Sequence, residues 1–218
     1  MERLARKLAS NIAGSLGYDD EKERVIAYGL TAMIQTAVTV ILVFAIGLIV
    51  GAPVEALIIC FSVSILRKYC GGAHVGTIEE CTSISVIYCV VFALISRQLL
   101  LPVLNIYLML SIIIVVYALS FIAIFKLAPV DSPNKPIKTE KKKRRMRRGS
   151  FITLTVYFVF SILFLLLSFK YHITNSFGIS LIFGITWQIF TLTKFGTYFL
   201  KKIDFAVNKI FRNRREVD

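Results

Sequence analysis

The chain has 218 residues, of which 56% are hydrophobic and 18% are charged, and its formal net charge is +13. Soluble domains carry about one-quarter charged residues, so this composition excludes an ordinary soluble globular protein. The four cysteines form no zinc pattern and predict no disulfide framework, and we expect no signal peptide at the N-terminus.

The N-terminal segment predicts an amphipathic helix within residues 1–20. Its apolar side chains recur at helical spacing beside basic ones: Leu4, Leu8, Ile12 and Leu16, with Arg3, Arg6 and Lys7. This pattern is typical of a helix that lies in the membrane interface. The alternative is a polar start to the first membrane span.

Six apolar segments follow and predict six membrane spans. They cover residues 25–50, 54–66, 81–101, 104–128, 150–169 and 176–199. A helix needs roughly 20 mostly apolar residues to cross the hydrocarbon, so the second segment can span only if its helix continues past Arg67. We therefore predict an all-α, polytopic helical bundle that forms one membrane domain over residues 1–218. Residues 25–128 hold its first four spans, and residues 150–199 hold the last two.

The distribution of basic residues predicts the orientation of the bundle. Lys and Arg mark cytoplasmic segments of membrane proteins. With the N-terminus inside, 24 of the 26 basic residues fall on the cytoplasmic side, and Arg97 and Lys170 are the two exceptions. We therefore expect both termini in the cytoplasm, a basic cytoplasmic loop at 129–149 and a basic tail at 200–218.

The segment between the second and third spans, residues 67–81, gathers the side chains best suited to chemistry. It reads Arg67-Lys-Tyr-Cys70-Gly71-Gly72-Ala-His74-Val-Gly76-Thr77-Ile-Glu79-Glu80-Cys81. Polar and ionisable groups placed against a membrane span are energetically costly, which makes them functional candidates. An imidazole can take the proton of a thiol and later protonate a leaving amine, so a cysteine–histidine pair favours nucleophilic catalysis.

His74 and Cys81 can cooperate only if the chain bends between them. On one continuous helix they would share a face but lie roughly 10 Å apart, which is too far for a hydrogen bond. The glycines at 71, 72 and 76 permit a bend, and Thr77-Ile-Glu79-Glu80 matches a capping box that would begin the third span at Thr77. Cys81 would then lie in the first helical turn, where the helix dipole favours a thiolate.

The two carboxylates beside the cysteine have two alternative roles. Glu79 and Glu80 would oppose a thiolate at Cys81 through charge repulsion, or one of them would orient His74 as the third member of a triad. The residues alone leave this choice open.

The remaining cysteines and the second histidine receive simpler interpretations. Cys70, four residues before His74, is a competing nucleophile. Cys60 and Cys89 lie within predicted spans and are interpreted as small apolar fillers. His172 falls on the predicted outer side and is interpreted as an interfacial residue.

The run Arg67…Gly71-Gly72-Ala-His74…Cys81 is similar to the core motif of the AgrB family, membrane cysteine endopeptidases that mature quorum-sensing peptides in Gram-positive bacteria. The resemblance covers nearly the whole chain and includes Ala128-Pro129, residues 134–137 and the basic run after them. It implies that His74 is the catalytic histidine and Cys81 the nucleophile. It also implies supporting roles for Arg67 and Gly72, to which we add Gly71, Glu79 and Glu80 from the residues themselves.

The resemblance implies a location in the bacterial plasma membrane, with the active site on the cytoplasmic side, and it implies a reaction and a partner. A short precursor peptide, similar to the AgrD peptides, would be cleaved through a thioester acyl-enzyme and released as a cyclic thiolactone. We expect no cofactor and no metal. A homodimer is compatible with the many small polar faces of the predicted helices.

A cluster of basic residues follows the fourth span. Its members are Lys141, Lys142, Lys143, Arg144, Arg145, Arg147 and Arg148. The cluster is interpreted as an orientation signal that contacts anionic lipid, or as a recognition site for an acidic tail of the precursor. Nucleic acid is a poor partner, because the run lacks interleaved aromatic residues and a folded reading module.

A small transporter or channel without peptidase activity is the alternative function. Its support is a polar face on the first span, formed by Thr31, Gln35, Thr36 and Thr39. Such residues also serve as interhelical contacts, and no inverted repeat is visible in the sequence.

Overall fold

The computed structural model describes residues 2–72, 78–130 and 139–203, and within these ranges all regular structure is helical. The helices are α1 (Glu2–Leu16), α2 (Asp20–Ile49), α3 (Pro53–Cys70), α4 (Ile78–Leu94), α5 (Ile106–Leu127), α6 (Glu140–Leu167) and α7 (Thr174–Leu192). A π-helical segment, Ile95–Leu100, continues α4, and residues 194–203 are also helical. The predicted all-α bundle is confirmed.

Side-chain caps determine where three of the long helices begin. Asp19 accepts a hydrogen bond from the backbone N–H of Lys22 at 3.0 Å and starts α2. Asn105 does the same for α5, and Thr139 does the same for α6. Each cap satisfies a donor that would otherwise lack a partner at the helix end.

Within the described ranges, five helical stretches are long and apolar enough to cross a membrane. They are Asp20–Ile49, Glu79–Leu100, Ile106–Leu127, Glu140–Leu167 and Thr174–Leu192. This confirms a multi-pass membrane protein. Of the six predicted spans, the one that fails this test of length and composition is the second, which corresponds to α3.

The path of α3 through the bundle is decided by its contacts with α7. Near the start of both helices, Ser176 donates a hydrogen bond to Glu55 at 2.8 Å. Near their ends, Gln188 of α7 donates a hydrogen bond to the carbonyl oxygen of Gly71, the residue that follows α3. The two helices therefore run parallel along their whole length. With 18 residues, α3 is about 27 Å long, close to the thickness of the hydrocarbon. It extends from one end of the bundle to the other.

The predicted loop at 129–149 is wrong in its extent. Helix α6 begins at Glu140, so the basic cluster forms the first turns of a helix that continues into the bundle. Lys and Arg are good helix formers, and Thr139 caps the helix, so polarity here does not end the secondary structure. Residues 131–138 of the predicted loop lie outside the described residues, as do residues 204–218 of the predicted tail.

The helix at the N-terminus is separate from the first span, and this excludes a simple polar start to α2. Gly17 has a left-handed φ of 62° and ends α1. Ala5, Ala9 and Ala13 are buried, and α1 packs against α2. The four apolar side chains that predicted the helix all remain exposed. Its position in the membrane interface stays a prediction.

The core consists of two apolar clusters that share α3. One lies among α3, α5, α6 and α7, and it includes Leu66, Tyr117 and Ile185. The other lies among α2, α3 and α4, and it includes the thiols of Cys60 and Cys89. Both thiols are buried, as expected of small apolar fillers.

A buried polar cluster marks the end of the bundle opposite Cys81. Glu55, in the first turn of α3, is fully buried and accepts the hydrogen bond from Ser176. Arg97, in the π-helical segment, approaches the same carboxylate at 3.4 Å. Arg97 was one of the two basic residues that did not fit the predicted orientation pattern. Its pairing with a buried carboxylate explains why the chain tolerates it there.

Candidate active site

A cavity of about 900 Å³ lies among α2, α3 and α4 and brings together four of the sequence-predicted site residues. Arg67, Gly71, Gly72 and Cys81 all line it. From Cys81 it extends past Ser85 to Cys89, two turns further along α4, which is about 12 Å. A cavity of this size is in the range of ordinary ligand sites.

Cys81 is the thiol best placed for chemistry. It is the fourth residue of α4, it is half-buried, and it lines the cavity. Cys70 is fully buried and packs near Ser150 and Tyr157, away from the cavity lining. The structure therefore disfavours Cys70 as the nucleophile, because a buried thiol cannot meet a substrate without rearrangement of the core.

Arg67 borders the same cavity as Cys81. It lies in the last turn of α3, and the next residue, Lys68, lines the cavity as well. The end of α3 therefore brings two basic side chains to the cavity at which Cys81 lies.

Two glycines carry the chain out of α3. Gly71 and Gly72 have φ values of 72° and 137°, which L side chains rarely adopt. A Cβ at Gly71 would clash with the carbonyl group of Val130, and a Cβ at Gly72 would lie 2.8 Å from the Thr191 hydroxyl oxygen. Both positions therefore require glycine, for conformation and for space.

The turn formed by these glycines is held by distant parts of the chain. The Gln188 amide of α7 donates a 2.7 Å hydrogen bond to the Gly71 carbonyl oxygen, and Val130 N–H donates to the Cys70 carbonyl oxygen at 2.8 Å. Gln188 is fully buried, and its Oε1 atom has no hydrogen-bond partner within the described part of the chain. Gln188 was not among the residues predicted from the sequence, although an amide inside an apolar span is a signal, because polar groups are costly there.

The other predicted residues of this segment either do not line the cavity or lie outside the described residues. Glu79 is exposed and Glu80 is half-buried in the first turn of α4, where carboxylates are favourable to the helix dipole. His74 and the predicted cap Thr77 lie outside the described residues. His172 is exposed in the connection between α6 and α7, at the opposite end of the bundle from Cys81.

A second, smaller depression lies on the same end of the bundle and is basic. It has a volume of about 470 Å³ and is lined by Lys68 of α3 and by Lys142, Arg145 and Arg148 of α6. We call these four residues the basic groove. A Cβ at Gly149 would clash with the Tyr69 ring, so close contact between α3 and α6 forms its floor.

The other basic residues of the cluster lie elsewhere. Arg147 donates a hydrogen bond to the Phe125 carbonyl oxygen, and its guanidinium lies 4.7 Å from the centre of the Phe125 ring. It therefore links α6 to α5. Lys143 approaches Glu140 at 3.9 Å on the exposed surface. Lys141 and Arg144 are exposed. Among the described residues, no group of three His, Cys, Asp or Glu side chains could hold a metal ion.

The chain is similar to one family of known proteins. The family model for accessory gene regulator B (AgrB) matches residues 1–192. An AgrB-like protein of Clostridium perfringens strain SM101 is 39% identical over 212 residues, which cover 96% of this chain and 99% of that protein. A second, from strain 13, is 38% identical with the same coverage. An AgrB-like protein of Halalkalibacterium halodurans is 27% identical over 164 residues, 75% of this chain and 78% of that protein. No solved structure matches the chain.

The range matched by the family model includes α1 to α7, the two glycines after α3, and Cys81. The two Clostridium relatives extend over nearly the full length of both chains. The resemblance that the motif indicated is therefore confirmed. This chain is a multi-pass membrane protein that belongs to the AgrB family, whose role is in the processing of quorum-sensing peptides.

Proposed function

We propose that the chain is a membrane cysteine endopeptidase that cleaves a short precursor peptide and releases a cyclic thiolactone. The observation that carries the proposal is the position of Cys81. Its half-buried thiol lies in the first turn of α4, at a cavity that is large enough for a peptide segment and that Arg67 also lines. Membership of the AgrB family supports the same class of reaction.

His74 is proposed as the general base. It follows the Gly71-Gly72 turn by two residues, and that turn borders the cavity at which Cys81 lies. The turn is fixed by Gln188 and Val130, so the chain leaves α3 in a defined direction. An imidazole held there would take the thiol proton and later return it to the leaving amine.

The first half-reaction makes a thioester. The Cys81 thiolate attacks a backbone carbonyl carbon of the precursor, and the carbonyl oxygen becomes an oxyanion. Backbone N–H groups in the first turn of α4 lack intrahelical partners and are proposed to stabilise it. The C–N bond then breaks, the protonated imidazole of His74 gives its proton to the leaving amine, and the C-terminal fragment departs.

The second half-reaction closes the ring. A cysteine thiol of the bound peptide gives its proton to His74 and attacks the thioester carbonyl. Its C–S bond forms as the bond to Cys81 breaks, and the Cys81 thiolate is restored. One thioester replaces another, so this exchange is close to isoenergetic. Water must be excluded from the acyl-enzyme, because hydrolysis would give a linear acid instead of a ring.

The basic groove is proposed as the site for an acidic tail of the precursor. Its four cations lie at the Cys81 end of the bundle, where α3 and α6 meet. Carboxylates bind most strongly where several cations converge. This end of the bundle is proposed to face the cytoplasm, where precursor peptides are made. Anionic lipid is the competing partner for the exposed basic residues.

The test is cleavage of a candidate precursor by the full-length protein in membranes. Wild-type protein should release the C-terminal fragment, whereas Cys81→Ser and His74→Ala should release none. Cys70→Ser is the matched control and should retain cleavage, because its thiol is buried outside the cavity. Full cleavage by Cys81→Ser would refute the proposal. Loss of cleavage in Cys70→Ser alone would reassign the nucleophile.

A further inference from the structure

The wall of the cavity opposite Cys81 is formed by the polar face of α2. Gln35, Thr36 and Thr39 of α2 line the same cavity as Cys81. Both threonine hydroxyls donate to carbonyl oxygens one turn earlier on their own helix, each at 2.8 Å. Their donors are thus used within α2, and only their acceptor capacity remains.

Gln35 differs from its two neighbours. In the part of the chain that the structure describes, its side-chain amide makes no hydrogen bond. The amide carries two donors and one acceptor, which is the complement of a peptide backbone. A polar group within a spanning helix is costly unless it gains partners. The cavity provides room for a partner that reaches both kinds of atom.

Gln35 and Cys81 line one cavity from two helices that begin at the same end of the bundle. Further along these helices, Val43 of α2 and Cys89 of α4 belong to one buried cluster. Gln35 precedes Val43 by eight residues, and Cys81 precedes Cys89 by the same number, so each lies about 12 Å back along its own helix. The two side chains therefore border the same space, one from α2 and the other from α4.

We propose that Gln35 is a positioning residue that hydrogen-bonds the backbone of the peptide segment attached to Cys81 and holds it folded for ring closure. The inference rests on the proposed function. It assigns the acyl part of the precursor to the α2 side of the cavity, while the departing fragment lies toward the basic groove. It also gives the unused amide a partner of defined chemistry, the backbone N–H and C=O groups of a short peptide.

The experiment separates ring closure from cleavage. Full-length Gln35→Met keeps the length of the side chain and removes its hydrogen bonds. It should release the C-terminal fragment at close to the wild-type amount, while the ratio of thiolactone to linear acid falls about three- to tenfold, the effect of about one lost hydrogen bond. Gln35→Asn should recover part of that ratio. Gln98→Met, an exposed glutamine in the π-helical segment, is the matched control and should leave it unchanged.

A second measurement reports contact with the precursor and does not require catalysis. A photoreactive residue at position 35 of a Cys81→Ala protein should cross-link the precursor on the N-terminal side of the scissile bond. The same residue at position 48, an exposed site on α2, should give no such product. An unchanged product ratio in Gln35→Met, or cross-links confined to the C-terminal fragment, would overturn this inference. Absence of cleavage by wild-type protein would overturn the proposed function itself.

Discussion

The Gln188 amide donates a 2.7 Å hydrogen bond to the Gly71 carbonyl oxygen across 117 residues of sequence. This contact ties α7 to the turn that leads from α3 toward His74. The glutamine is fully buried, whereas the glycine lines the cavity, so the hydrogen bond joins the interior of the bundle to the edge of the cavity. The geometry of the proposed site thus depends on a helix that contributes no proposed catalytic group.

Gln188→Leu is expected to slow cleavage and to destabilise the protein. The substitution removes the hydrogen bond to the partly buried Gly71 carbonyl oxygen, a loss of about 0.5–1.5 kcal/mol. Single-turnover cleavage would report the loss of site geometry, and thermal unfolding in detergent would report the stability. Gln98→Leu, at an exposed glutamine, is the control. If both variants behaved alike, the contact would have no part in the site.

Gly72→Ala is expected to abolish most activity for a steric reason. The added Cβ would lie 2.8 Å from the Thr191 hydroxyl oxygen, at a φ of 137° that alanine adopts poorly. Removing the obstacle with Thr191→Ala should restore part of the cleavage rate, since the conformational strain would remain. Gly14→Ala, where α1 leaves open space, should have no effect. Wild-type activity in Gly72→Ala would contradict the role of the turn.

Neutralising the basic groove should weaken binding of a precursor with an acidic tail. The triple variant Lys142→Gln, Arg145→Gln, Arg148→Gln removes three of its four cations. The control removes the same charge from outside it, with Lys141→Gln, Lys143→Gln and Arg144→Gln. We expect KM for cleavage to rise about tenfold or more in the first variant only, and the effect to shrink at high salt. Equal effects would indicate attraction to lipid or general charge rather than the groove.

Thiol labelling should distinguish the four cysteines. Cys81 is half-buried at the cavity, whereas Cys60, Cys70 and Cys89 are buried. A small maleimide should therefore modify Cys81 first in the folded protein, because reaction requires access. Mass spectrometry of the labelled peptides would identify the site. A membrane-impermeant reagent added to inverted vesicles would also report which side Cys81 faces, and preferential labelling of Cys70 would contradict the assignment.

The ion pair between the buried Glu55 and the partly exposed Arg97 should respond asymmetrically to substitution. Arg97→Met leaves a fully buried carboxylate without its cation, but 40% of the Arg97 side chain is exposed and water screens the pair, so the cost should be about 1–3 kcal/mol. Glu55→Gln removes the buried charge but keeps the shape and the partner for Ser176, so it should cost less. Unfolding in detergent, compared with Lys170→Met as an exposed control, would measure both. A milder effect of Arg97→Met than of Glu55→Gln would contradict this account.

The apolar pattern made most of the fold predictable. The segments at 25–50 and 104–128 correspond closely to α2 and α5. Within a membrane, the backbone N–H and C=O groups of a long apolar segment can be hydrogen-bonded internally only if the segment forms a helix. The basic cluster was less predictable, because charged residues were read as a loop although they form helical turns. Hydropathy also could not decide whether α3 crosses the membrane, because its composition is too polar for a typical span.

The sequence by itself determined the class of protein, the number of apolar segments and the motif from Arg67 to Cys81, because these depend on composition and on spacing along the chain. Only the tertiary structure decided that α3 lies along α7 from end to end, that Cys81 rather than Cys70 meets the cavity, and that Gln188 holds the turn after α3. These arrangements depend on which helix faces pack together. The contacts between α3 and α7 join residues more than one hundred positions apart, and a local sequence pattern does not show which distant faces will meet.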